Sequence, residues 1–164
     1  MILPRIVNRI NSIIKRIFYK IGYGNKLKFG KALHFRKGFV IDIRKDGKVI
    51  IGNRCFFNNY CSINSRDEIK IGENCIFGEN VKIYDHNHRF NGVKPIYKQG
   101  YTTGKIEIGD NCWIGSNVTI LKNAKIGNNV VISAGCVINE RVSDNTIVKL
   151  KQDKIVEKIK IKGE

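Results

Sequence analysis

From Ile51 onward the chain places a large apolar residue at the head of every row of six and a small one four positions later. The rows read I-G-N-R-C-F, F-N-N-Y-C-S and I-N-S-R-D-E, and after the insertion Ile69-Lys70 they continue as I-G-E-N-C-I and F-G-E-N-V-K. They return at Ile108 as I-G-D-N-C-W, I-G-S-N-V-T, I-L-K-N-A-K, I-G-N-N-V-V, I-S-A-G-C-V and I-N-E-R-V-S. Ile or Phe in the first column and mostly Cys, Val or Ala in the fifth predict two inward-facing positions per row, one large and one small. The fourth column holds Asn74, Asn80, Asn111, Asn117, Asn123, Asn129 and Gly135, residue types that tolerate positive φ, so a sharp corner is expected there. Short extended segments separated by corners predict a coil of flat faces whose rows stack and pair in parallel. A helix is excluded, because a period of six does not match a 3.6-residue stripe.

The ends follow other rules. Leu3, Ile6, Val7, Ile10, Ile13, Ile14, Ile17, Phe18 and Ile21 recur at helical spacing with Arg5, Arg9, Lys15, Arg16 and Lys20 between them, which predicts an amphipathic α-helix over 1–24. Two roles stay open for it: packing on the coil or on a neighbouring subunit, or lying in a membrane interface as a peripheral contact. Residues 25–148 are assigned to the coil, with irregular early turns around Phe29, Phe35, Phe39 and Ile41, and 149–164 to a segment capping its last turn. One long interruption, 85–105, is expected to protrude as a loop, and a long loop in a tight repeat usually serves function.

Composition narrows the partners. Lys and Arg number 30 against 14 Asp and Glu, a net charge of +16, which points to an anionic partner. The basic residues are spread along the chain instead of lining one reading helix, so nucleic acid is not expected. No apolar run approaches the ~20 residues of a membrane span, and no signal-peptide pattern is present, so a cytoplasmic protein is expected. All five cysteines, Cys55, Cys61, Cys75, Cys112 and Cys136, fall in the fifth column, where they act as small buried hydrophobes. Neither a disulfide framework nor a zinc site fits their spacing.

Two of the three histidines, His86 and His88, open the interruption behind Asp85. An imidazole on the rim of a rigid scaffold suits proton exchange near neutral pH. Asp85 is either an orienting carboxylate for one of them or a solvated turn residue. Trp113, in the sixth column, should point outward, where an indole implies a ligand or a neighbour to cover it.

The motif D-H-N-H, followed after about twenty residues by I-E-I-G-D-N-C-W-I-G-S-N-V-T-I, resembles the hexapeptide-repeat acyltransferases, in particular the maltose/galactoside and capsule or O-antigen O-acetyltransferases. The likeness spans Gly52 to Val148. It implies an all-β, left-handed parallel β-helix and direct transfer of acetyl from acetyl-CoA to a sugar or glycan hydroxyl, in surface polysaccharide synthesis. His88 best matches the family's general base, and His86 is the second choice. The resemblance further places Trp113, Ser116 and Ala134 along the pantetheine arm and Asn58 at the acceptor, while Lys151 is a candidate for the phosphates of the cofactor. It implies a homotrimer with sites between subunits, and no metal. The chain departs from the family's ending, with Arg141–Asp144 where a Pro-Pro is usual. Three alternatives compete: an N-acetyltransferase of an amino sugar, a zinc enzyme of the γ-carbonic anhydrase type, and a non-catalytic interaction module. His34 stands far from the other two histidines in sequence, which lacks the zinc spacing.

Overall fold

The computed structural model describes residues 3–151. It is a left-handed parallel β-helix preceded by one long helix, α1 (Leu3–Tyr23). The strands form three flat sheets of six, six and five members, one per face of a triangular prism. Face one carries Leu27–Phe29, Lys48–Ile51, Glu68–Ile71, Ile106–Ile108, Lys125–Ile126 and Arg141–Val142. Face two carries His34–Phe35, Phe56–Phe57, Ile76–Phe77, Trp113–Ile114, Val131–Ile132 and Ile147–Val148. Val40–Ile43, Ser62–Ser65, Lys82–Tyr84, Thr119–Leu121 and Val137–Ile138 make face three. The chain runs from face one to two to three and then starts the next coil, so residues of one column stack on their counterparts, as Ile76, Trp113 and Val131 do.

The columns hold as expected. First-column residues from Ile51 to Ile138 are buried, and so are fifth-column residues from Cys55 to Val142, with Asp67 as the exception. The named fourth-column residues all adopt positive φ, from 54° at Asn111 and Asn129 to 79° at Gly135. The early turns are more regular than their sequence suggests, because Phe35, Phe39, Phe57 and Phe77 fill the core there, the last pair stacked at 4.2 Å. All five thiols are buried. Four donate to a glycine carbonyl of the next coil, Cys61 Sγ to Gly78 O at 3.1 Å among them. Burial pushes the Cys61 thiol up to about 11, so it stays protonated and inert near neutrality.

The helix α1 sits across the open end of the first coil, but with the face reversed from what burial of apolar surface alone would select. Its polar and aromatic side meets the coil: Ser12 is buried and accepts from Phe35 N, while Tyr19 and Tyr23 donate to the carbonyls of Phe39 and Ile41. Arg16 reaches the carbonyls of Leu33 and Gly30, and Lys15 that of Phe39. The reason is that strands of the first coil pair on one side only, so their other backbone groups need partners, which hydroxyls and cations supply and alkyl groups cannot. Val7, Ile10, Ile13, Ile14, Ile17, Phe18 and Ile21 face away from the coil and are exposed. The apolar stripe therefore does not pack on its own β-helix. The expected C-terminal cap lies outside the described residues from 152 onward.

Candidate functional site

The interruption is a loop whose base is a short antiparallel ribbon, and its tip, residues 89–100, carries no strand. It leaves the prism at the corner between faces three and one, where His86–His88 pairs with Tyr101–Thr103 in the register His86 to Thr103 and His88 to Tyr101. Its root is held by one carboxylate. Asp85 is fully buried and accepts from Ser65 Oγ at 2.7 Å, Arg66 N at 2.8 Å and Asp67 N at 2.9 Å, and it contacts His86 Nδ1 at 3.0 Å. Asp85 is thus no solvated turn residue, and its imidazole partner is His86, not His88. Four polar contacts offset the cost of keeping this carboxylate out of water. They also fix the ring of His86, whose side chain is 18% exposed, with Nδ1 turned inward.

His88 stands two residue pairs further out and is exposed. Its ring lies 4.5 Å from that of Tyr101, which also meets the edge of His86 at 5.3 Å. On Tyr101 rests the guanidinium of Arg66, 3.5 Å from the ring centroid, and its Nε is buried without a hydrogen-bond partner among the described residues. Arg66 and Tyr101 complete the cluster, and neither stood out in the sequence. Arg66 looks like an ordinary corner charge in the one irregular row, and Tyr101 like one more aromatic of the interruption. Only the pairing of the ribbon brings them together with the histidines.

A second feature occupies a different corner, between faces two and three. Trp113, Ser116 and Ala134, expected to share a cofactor, do line one shallow groove of about 350 Å³ together with Gly78, Gly115 and Ser133. Trp113 points outward and is 55% exposed. The floor is flat because the coils touch there: a Cβ added to Gly115 would stand 2.6 Å from Ala134 N. The Ser116 hydroxyl accepts from Glu79 N at 3.1 Å. Asn58 lies at this same corner, two coils before Gly115 in its column, and its Oδ1 accepts from Arg36 Nη1 at 3.1 Å. It is not among the residues lining the groove. Lys151 is exposed past the last strand and is also absent from that lining.

Within one chain, then, face three separates the histidine ribbon from the Trp113 groove. His34, on face two of the first coil, joins neither. Among the described residues, no three His, Cys, Asp or Glu side chains converge as a metal site would require.

Comparisons agree with this architecture. Residues 105–140 match the family model described as bacterial transferase hexapeptide (six repeats). The putative lipopolysaccharide biosynthesis O-acetyl transferase WbbJ of Escherichia coli K12 is 28% identical, over 89% of this chain and 84% of its own. A maltose O-acetyltransferase from Clostridium difficile 630 superposes with a TM-score of 0.68 at 27% identity, over 88% of this chain and 76% of that one. The hexapeptide-repeat acetyltransferase VCA0836 from Vibrio cholerae, complexed with acetyl coenzyme A, shares the fold with a TM-score of 0.64 at 22% identity, over 86% and 74% of the two chains.

Proposed function

We propose that this chain, a hexapeptide-repeat protein of the acyltransferase kind, transfers acetyl from acetyl-CoA to a hydroxyl of a sugar or glycan acceptor in surface polysaccharide synthesis, working in the cytoplasm where that donor is made. The observation that carries the reading is the division of the chemistry between two corners: imidazoles on a ribbon at one, a flat groove under an outward indole at the other. The names of the WbbJ and maltose O-acetyltransferase relatives favour a hydroxyl acceptor, and the Vibrio cholerae structure binds the donor on the same fold.

A sugar hydroxyl has a pKa far above neutrality, so it needs a base as it attacks. In the proposed step the His88 imidazole takes the hydroxyl proton while the oxygen bonds to the thioester carbonyl carbon. The tetrahedral intermediate collapses with cleavage of the C–S bond, and the imidazolium returns the proton to the departing sulfur. The pantetheine arm lies on the Gly78–Gly115 floor beside Trp113, Ser116 and Ala134, with Lys151 toward the phosphates and Asn58 toward the acceptor. No metal takes part. One specific observation favours His86 as the base instead, its contact with the buried Asp85. In either case base and groove meet only when one chain's ribbon faces its neighbour's groove, which a C3 homotrimer provides.

The test is acetyl transfer from acetyl-CoA to a panel of sugars and nucleotide sugars, read by mass spectrometry. His88→Ala should keep its melting temperature and lose about two to four powers of ten in rate. Full turnover by that variant, with loss in His86→Ala, would move the base to His86. Products stable to mild alkali would be amides and would make the enzyme an N-acetyltransferase. Unfolded and refolded together, His88→Ala and Ala134→Trp chains should regain activity that each lacks alone. Failure to regain it would refute the shared site.

A further inference from the structure

We infer that the outward face of α1 attaches the protein to an anionic lipid surface, with the prism standing on the bilayer by its first coil. This does not rest on the acyl-transfer reading. The seven apolar side chains from Val7 to Ile21 form one continuous stripe, and Phe18 and Ile21 are 75% and 80% exposed. The opposite side of the helix is already engaged with the coil, so α1 cannot turn to bury the stripe without giving up the bonds of Ser12, Tyr19 and Tyr23.

Charge decides the occupant. The helix carries Arg5, Arg9, Lys15, Arg16 and Lys20 and no Asp or Glu, on a chain of net charge +16. Lys15 and Arg16 are turned to the coil, but Lys20 and Lys28 stand beside the stripe, so a second copy laid there would set like charges together with no acid on either helix to compensate, whereas anionic headgroups supply the counter-charge. A groove of about 610 Å³ beside the stripe has the matching composition. Ile13, Ile17 and Phe29 give it an apolar lining, and Arg16, Lys20 and Lys28 bring three cations, a combination suited to a phosphate headgroup above acyl carbons. With five cations the helix lies along the surface and does not cross it, and among the described residues no helix is long and apolar enough to do so.

The experiment is flotation of the full chain with vesicles of phosphatidylcholine alone or with phosphatidylglycerol added. Binding to the anionic vesicles should exceed that to neutral ones at least about tenfold and weaken as salt is raised. Phe18→Glu/Ile21→Glu should abolish it without changing the melting temperature or the mass in solution, and Lys20→Glu should reduce it. Equal flotation with neutral vesicles, or none with either, would overturn the inference. So would a drop in solution mass in the double variant, which would assign the stripe to a neighbouring copy.

Discussion

The coils and the ribbon that interrupts them are held together in contrasting ways. In the coils each residue type answers to its column, and the same few contacts recur: an Ile or Phe against its counterpart one coil away, a thiol on a glycine carbonyl, an Asn at the corner. The ribbon from His86 to Thr103 has no such repetition. It depends on one short antiparallel pairing, on Asp85 at its root, and on Arg66 and Tyr101 packed beside the imidazoles. Redundant contacts make a scaffold that does not move, and single contacts make a place where chemistry can be installed or changed without disturbing the scaffold.

That contrast can be broken from either side. The largest loss of stability should follow Phe57→Ala, which removes a fully buried ring from the stack with Phe39 and Phe77. We expect a cost of about 3–5 kcal/mol by denaturant melts, with all faces affected together. Asp85→Ala should cost about 3 kcal/mol, because Arg66 N, Asp67 N and Ser65 Oγ lose a charged acceptor. Unlike the first, its hydrogen-exchange signature should be confined to the ribbon and the 65–67 corner. If Asp85→Ala instead loosened every coil, the ribbon would be part of the scaffold. Asn117→Ala keeps a β-carbon at φ 59° but removes the amide that eases this conformation and accepts from Asn80 Nδ2, so it should cost about 1–2 kcal/mol, while Asn117→Gly should cost clearly less. The smallest effect is none at all: in the native state iodoacetamide near neutral pH should add no mass to any of the five cysteines, and in denaturant it should add five adducts. Rapid native labelling would mean that the thiol column is not sealed.

Whatever the repeat encodes was legible in the sequence, because period and column fix both burial and backbone conformation. The inward Cys column, the Asn corners and the outward Trp113 follow from column and coil number, while the meeting of Trp113, Ser116 and Ala134 in one groove was implied by the family resemblance. Contacts that leave the columns were not legible. Asp85 chooses His86 because Ser65 and the 66–67 backbone bury it at the corner, and nothing in D-H-N-H states which imidazole it will meet. Tyr101 joins the histidines through the antiparallel pairing of the ribbon, and Arg66, distant in sequence, reaches it from the 65–67 corner. For α1, periodicity fixed which residues share a face, but the direction of that face was set by unpaired carbonyls on the first coil, which no helical stripe records.

The capping of that first coil has a consequence for assembly geometry. With Ser12, Tyr19 and Tyr23 seated on its backbone, the starting turn offers no continuous ladder to which the last turn of another molecule could add. Head-to-tail addition along the prism axis is blocked at this end, which favours flank-to-flank contacts that close into rings over axial ones that would run on as filaments.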